Sequence, residues 1–393
     1  MRILFNIIFS ASLVIGLVGF WALFLNLWKP KKKWPAWVGY IIIIGAWFAA
    51  IRYYILNQVD LYGTMYYPLM NMFRTESYGF FFGVFLAIPV FIILSLLYWT
   101  INKIWSKTPE ENRTGRRAFF RTAATIVPLA TIGGSSYAAF AGQQELVVTH
   151  ESFGYTNLPP GLKNYKIVQL SDIHIGPSID LDDFDEILKL ALLQKPNRVV
   201  ITGDLIDKLA WLPQVCERLT TFAKQIPDGV DFILGNHEYH HDVNKVLDSL
   251  KRNTPMNILV NSNIQIMGGK QPVYIAGVAY DNDRKKDNRE AMINKALSGI
   301  PDYAFVILLA HHPEFFEESI ERKIPLTLSG HTHGGQIVFM GMPLVPTGTP
   351  YTKGRYVEEQ SVCYVNNGTG HWFPIRINCP REITVITFFD GVA

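Results

Sequence analysis

Cysteine is scarce in this chain, with three in 393 residues. That scarcity excludes a disulfide-built scaffold and any cysteine-rich zinc module. Charge is scarce as well: Asp, Glu, Lys and Arg make up 18%, against 49% hydrophobic residues. A disordered chain needs the opposite balance, and a wholly water-soluble one carries more charge. Low-complexity tracts and repeats at solenoid spacing are also missing. The net charge of +3 conceals a division. Residues 1–121 hold 13 Lys and Arg against 4 Asp and Glu, a balance of +9. Residues 122–393 hold the other 23 and 29, a balance of −6. A basic, apolar first third before an acidic remainder predicts a membrane region followed by a water-soluble domain. The basic residues flank apolar runs and form no face, which argues against nucleic acid as a partner.

Three stretches, 3–28, 34–56 and 80–101, have the length and apolarity of a membrane helix, which needs about 20 residues. Trp28, Trp34, Tyr53, Tyr54, Trp99 and Trp105 stand near their ends, where an interfacial aromatic belt belongs. A fourth stretch, 122–142, is rich in Ala, Thr, Ser and Gly. Before it stands Arg116-Arg117-Ala118-Phe119-Phe120-Arg121, which resembles a twin-arginine export signal. The same arginines also read as positive-inside anchors. Basic loops between the first and second and between the third and fourth spans predict an integral membrane protein with its catalytic domain outside the cytoplasm. The expected organisation is a transmembrane region over 1–142, a linker over 143–164 and a catalytic domain over 165–393.

From Tyr165 onward short β-branched runs alternate with helical ones. Strands are predicted at 166–170, 198–201, 231–234, 273–276, 305–309, 326–328, 362–365 and 383–388. Helices are predicted at 183–194, 214–225, 243–251, 289–297 and 314–321. This alternation is an α/β domain with buried sheets.

Polar residues gather where these strands end. Asp172 and His174 follow the first strand, and Gly203, Asp204 and Asp207 the second. Gly235-Asn236-His237-Glu238 follows the third, His311-His312 the run at 305–309, and Gly330-His331-Thr332-His333 the run at 326–328. Ligands of α/β sheets bind outside the carboxyl ends of strands, so five clusters can converge on one pocket. Carboxylate, imidazole and amide oxygen without thiolate suit Mn, Fe or Zn. Asp172, His174, Asp204, Asn236, His311, His331 and His333 are too many donors for one tetrahedral ion, but suit two divalent ions sharing a carboxylate. Paired ions activate water and clamp a phosphoryl group.

The order D-x-H, G-D-x-x-D, G-N-H-E, H, G-H-x-H is similar to the calcineurin-like metallophosphoesterase superfamily. The string SGHTHGGQI at 329–337, with Gly368-Thr369-Gly370, Pro374-Ile375-Arg376 and Pro380-Arg381-Glu382, resembles its membrane-associated bacterial branch. The resemblance implies a two-sheet sandwich flanked by helices, and a dinuclear phosphoesterase. It assigns Asp172, His174 and His333 to one ion, Asn236, His311 and His331 to the other, and Asp204 to both. A metal-bound hydroxide would attack phosphorus, His237 would protonate the leaving oxygen, and Asp207 would orient His237 or another ligand from behind. The predicted spans suggest a lipid-linked or cell-envelope phosphoester as substrate.

Two other readings compete. His237-Glu238-Tyr239-His240-His241 matches H-E-x-x-H, the zinc protease motif. That motif needs a helix at 237–241, whereas Gly235-Asn236 predicts a turning loop. A non-catalytic receptor or scaffold on a decayed hydrolase fold would have lost a ligand or His237, and none is missing. The charge run Asp281–Arg289, DNDRKKDNR, reads as a solvated loop or as a lid whose Arg284, Lys285 and Lys286 attract phosphate. Cys363 and Cys379 read as a pair or as buried thiols, and His240, His312 and His371 as secondary site candidates.

Overall fold

A computed structural model describes residues 61–104, 110–280, 285–344, 346–371 and 375–391. These fall into two compact units, Met1–Ala141 and Gly142–Ala393. The first contains α1 (Tyr67–Ile104) and most of α2 (Glu110–Gln144). Ala87 of α1 and Phe120 of α2 are buried together with Leu94, Tyr98 and Ile101 around them.

The expected transmembrane region is corrected here. Among the described residues, no helix is long and apolar enough to cross a membrane. Helix α1 carries Pro89 inside its apolar part. In α2 the stretch 122–142 is diluted by Thr, Ser and Gly, and Arg116, Arg117 and Arg121 lie in the same helix. The stretches 3–28 and 34–56 lie outside the described residues. The integral membrane location, with its catalytic domain outside the cytoplasm, is corrected on the same finding.

The second unit runs β1 (Leu146–Tyr155), β2 (Lys166–Leu170), α3 (Leu181–Leu193), β3 (Arg198–Ile201), α4 (Leu212–Ala223) and β4 (Val230–Phe232). Then follow α5 (Asn236–His240), α6 (Val243–Asn253), β5 (Asn257–Ile258), β6 (Ser262–Met267), β7 (Val273–Val278) and α7 (Lys286–Ala296). After these come β8 (Phe305–Ala310), α8 (Phe315–Glu321), β9 (Leu326–Ser329), β10 (Val338–Phe339) and β11 (Met342–Pro343). The unit closes with β12 (Gly354–Glu358), β13 (Ser361–Val365) and β14 (Arg381–Asp390). One six-stranded sheet has the order β1-β14-β2-β3-β4-β5, the other β12-β13-β9-β8-β7-β6. Strands β2 to β5 are parallel, as are β7, β8, β9 and β13. Their carboxyl ends therefore lie on one side within each sheet.

The α/β alternation and all eight anticipated strands are present. The segment 143–164, expected as a linker, contains β1, whose ten residues pair in parallel with β14. Its signal is weak because most of its side chains are only partly buried.

The period-two pattern of β8 shows how one strand serves two cores. Phe305, Ile307 and Leu309 point between the sheets, joining Ile167, Val200 and Ile233 from the first and Ile275 and Leu328 from the second. Val306, Leu308 and Ala310 point outward, against Ile293 and Ala296 of α7 and Phe315 of α8. This burial on both faces is why β8 reads as an uninterrupted apolar run. In α3, Asp180 caps the amino end by accepting from Asp182 and Asp183 N–H, and Phe184, Ile187, Leu188 and Ala191 form the buried stripe. Arg289 of α7 is buried and donates to Glu317 at 2.6 Å and to Glu318 at 2.9 Å, pinning α7 to α8.

Ile307 is fully buried between the sheets, whereas Val357 is exposed on β12. Ile307→Ala is expected to lower unfolding stability by about 2–5 kcal/mol, and Val357→Ala by less than about 0.5 kcal/mol. Urea denaturation of both variants measures the difference.

Candidate metal centre

The motif segments leave the carboxyl ends of β2, β3, β4, β8 and β9, and the two sheets bring those ends together. Gln169, wholly buried on β2, links them by donating to Ser329 O at 3.0 Å. The chain there turns through the left-handed region: φ is 51° at Asp172, 55° at His174, 52° at Asp204, 71° at His331 and 51° at His333. Non-glycine residues in that region cost about 1–3 kcal/mol each and persist only where their surroundings over-determine them. Here Asp172 N donates to Gly203 O and His174 N to Asp204 O, each at 3.0 Å. His331 N donates to the Asp172 carboxylate, also at 3.0 Å. Gly203 has φ 92°, and a Cβ on it would lie 2.7 Å from Gly235 N. A Cβ on Gly330 would collide with Ser171 Oγ and Asp172 Oδ2.

The side chains form two donor groups. In the first, His174 Nε2 lies 3.1 Å from His333 Nε2, which is 3.6 Å from Asp172 Oδ1. In the second, Asn236 Oδ1 lies 3.0 Å from His311 Nε2 and 2.8 Å from His331 Nδ1. Asp204 Oδ2 faces both groups, 3.6 Å from His174 Nε2 and 3.3 Å from His311 Nε2. The donor atoms of Asp172, His174 and His333, and those of Asp172, Asp204 and His311, each lie within 4.8 Å of one another, close enough to hold a metal ion. All seven residues expected as ligands are thus brought together.

Hydrogen bonds behind the imidazoles set which nitrogen faces the centre. His311 Nδ1 is 2.8 Å from Thr202 O, so this nitrogen donates and Nε2 is the one that faces the centre. His174 Nδ1 is 3.3 Å from Asp207 Oδ1, with the same result. The electrostatics favour cations. Burial opposes ionisation of Asp204, but His311 and His237 hold its carboxyl well below the usual range. Burial likewise opposes a charge on His311, yet Asp204 and Asp172 push it up to about 10. His333 is held well below an ordinary histidine by burial, His174 and Arg376. Oxygen and nitrogen donors in this arrangement, with two histidines fixed from behind, fit a pair of divalent ions.

Asp207 lies beside the centre. Its Oδ1 accepts from His237 Nδ1 at 2.6 Å, and His241 Nε2 stands 3.6 Å away. Burial of His237 opposes its charge, but Asp204 and Asp207 raise it to about 9. Residues 236–240 form the short helix α5, not the loop that was expected. This helix does not restore the protease reading. Glu238 is fully buried, and its carboxylate accepts from the backbone N–H of Asp204 at 3.0 Å, Leu205 at 2.7 Å and Gly235 at 2.7 Å. It is an organiser of the backbone and not a free base.

Glu238 and Arg376 appeared in the sequence only as members of motifs, with no role in the phosphoesterase site. Arg376 is buried and donates to the carbonyls of Asn367 at 2.9 Å and Gly370 at 2.7 Å. Its Nη2 also stands 3.2 Å from His333 Nδ1. The signal available for it was the run Pro374-Ile375-Arg376 in an otherwise apolar context. Of the secondary candidates, His312 is buried with its ring 4.5 Å from that of His331. His371 is buried too, while His240 is exposed, its ring 5.3 Å from that of His237. Cys216, Cys363 and Cys379 are free, buried thiols. In the charge run, 281–284 lies outside the described residues, and Lys286 pairs with Glu321 at 2.7 Å.

Residues 165–335 match the family model described as calcineurin-like phosphoesterase. The chain is 30% identical over 353 residues to an uncharacterised metallophosphoesterase of Campylobacter jejuni, covering 88% of this chain and 87% of that one. It is 31% identical over 263 residues to the uncharacterised metallophosphoesterase YkuE of Bacillus subtilis, covering 65% and 90%. It is 30% identical over 318 residues to a Bos taurus protein named transmembrane protein with metallophosphoesterase domain, covering 74% and 66%.

Glu238→Ala would leave three buried backbone donors without an acceptor, each costing about 1–3 kcal/mol. The expected outcome is a loss of several kcal/mol in unfolding stability, with a smaller loss for Glu238→Gln, which keeps one acceptor oxygen. Urea midpoints of the two variants check it. A protease base would instead give variants of normal stability and no activity.

Proposed function

Because the chain belongs to the calcineurin-like phosphoesterase family of phosphoester hydrolases, we propose that it works with two divalent ions and with His237 as the proton donor. Asp172, His174 and His333 would hold one ion, and Asn236, His311 and His331 the other. Asp204 would serve both. The observation that carries this reading is the single oxygen Asp204 Oδ2, which faces His174 and His311 from the two donor groups. When bound, such ions supply Lewis-acid activation of water and neutralise charge on the phosphoryl oxygens. Their identity, Mn, Fe or Zn, follows from the oxygen and nitrogen donors only as a class.

The chain's own residues account for orientation and proton transfer. Asp204 Oδ1 accepts from His237 N at 2.8 Å, tying the proton donor's backbone to the shared carboxylate. Asp207 accepts from His237 Nδ1 and so directs the other ring nitrogen away from itself, toward a leaving oxygen. It also touches His174 Nδ1, and thereby fixes a metal ligand and the proton donor with one carboxylate. Burial opposes the ionised form of Asp207, but His174, His237 and His241 hold its carboxyl well below the ordinary range. It stays an anion beside the imidazolium of His237. The expectation of a lipid-linked substrate rested on predicted spans that the described helices do not supply.

Two measurements test this. In Asp204→Ala, elemental analysis should find both ions depleted, whereas one ion or none in active wild type would refute the paired site. In His237→Asn, metal content should stay near normal. Its kcat/KM should fall about 10²–10⁴-fold for an alkyl phosphoester, whose alkoxide needs a proton to leave, and much less for a p-nitrophenyl ester. Equal losses on both esters at unchanged metal would place His237 on the phosphoryl oxygens instead.

A further inference from the structure

The motif residues reach the centre from five strand ends, and a sixth strand end delivers a residue that belongs to no motif. We propose that Tyr280 is a further substrate-binding residue, whose hydroxyl donates a hydrogen bond to a non-bridging phosphoryl oxygen beside the second donor group. Strand β7 runs parallel to β8, with Val278 opposite Ala310. Tyr280 therefore follows the same end of the sheet as His311, the residue after Ala310. The backbone between is fixed where Ala279 N donates to Asn261 Oδ1 at 2.9 Å. The Tyr280 ring has its centroid 6.1 Å from the rings of both His311 and His331, edge-on to the first and tilted by 32° to the second. It also meets the ring of Tyr239 in α5 at 6.2 Å.

Exposure marks where a substrate can enter. Asp172, His174, Asp204 and His311 are each at most 2% exposed, whereas His331 and His237 are only half-buried. The centre thus opens to solvent past these two histidines, and Tyr280 borders His331. Tyr280 itself is 8% exposed. With three aromatic rings against it, it has little ring surface left to receive an organic group. Its hydroxyl differs. Among the described residues no hydrogen bond engages it, and it is not one of the oxygens sealed from solvent without a partner. A tyrosine hydroxyl in a nearly closed site ordinarily has a partner. An anionic phosphoryl oxygen accepts from O–H and supplies one.

This role rests on the reading of the two donor groups as a site for paired ions. Phosphoryl oxygens carry negative charge throughout the reaction, so a donor aimed at them stabilises both bound ester and transition state. His237 stands on the side of the first donor group, its ring 4.4 Å from that of His174. Tyr280 stands on the side of the second. His237 would serve the leaving oxygen and Tyr280 an oxygen that stays on phosphorus. Such an oxygen is the same in every ester, so losing its donor is blind to the leaving group.

The test uses the full chain with its resident ions and compares wild type with Tyr280→Phe, which keeps the ring and removes one oxygen. Inorganic phosphate is the probe, titrated by calorimetry, with ion content counted on the same samples. Wild type should bind phosphate, and stripping the ions with a chelator should abolish that binding. Tyr280→Phe should retain the ions and the urea midpoint of wild type, and bind phosphate about 10-fold more weakly. Its kcat/KM should fall by a similar factor for alkyl and p-nitrophenyl phosphoesters alike. Equal phosphate affinity in the two proteins at equal ion content would overturn the role of Tyr280 and leave the paired-ion reading in place. A loss confined to the alkyl ester would move Tyr280 to the leaving oxygen and also overturn the proposal. Phosphate bound equally well after chelation would overturn the paired-ion reading, and with it the placement of the phosphoryl oxygen beside Tyr280.

Discussion

The carboxylate of Asp204 is the constraint on which the rest of the centre depends. Its Oδ2 faces one histidine from each sheet, His174 and His311, and its Oδ1 holds the backbone of His237. Its own N–H is taken by Glu238, a residue with no solvent exposure. One side chain therefore couples the two candidate donor groups, His237 and the turn that positions them. That coupling requires Asp204 to sit at positive φ, a conformation that only a tightly bonded loop can hold.

What holds the loops is the apolar sandwich beneath them. Ile307 and Leu309 of β8 meet Ile167 and Val200 of the opposing sheet, so the carboxyl ends of β2, β3, β8 and β9 are set by close packing. The polar atoms above that core are then paired across the sheets, as Gln169 with Ser329 O and His311 with Thr202 O. Residues that pack pay no part in chemistry here, yet they decide the separation of the donor groups.

Electrostatics divides the histidines by their neighbours. His311 and His237, beside Asp204, are drawn toward the charged form, while His333, beside His174 and Arg376, is kept neutral. The same residue type thus gains or loses its charge according to whether carboxylates or cations surround it. Glu238 and Arg376 act one step further back. The first collects backbone donors on the β3–α5 side, and the second collects backbone carbonyls near His333.

The sequence by itself determined the alternation of strands and helices, the seven donors and their order. These are local facts: a β-branched run, a strand end, a glycine that lets the chain turn. It also displayed H-E-x-x-H without saying whether Glu238 faced solvent or backbone, because that depends on β3 passing within hydrogen-bond distance. Two sheets were implied by the family resemblance and not by the strand pattern, and only the tertiary structure decided that β1 pairs with β14 across the length of the domain and that Arg376 reaches His333. Of the predicted spans, those within the described residues do not lie in a helix long and apolar enough to cross a membrane. Contacts between residues far apart in sequence leave no periodic trace, so they become visible only when the chain is folded.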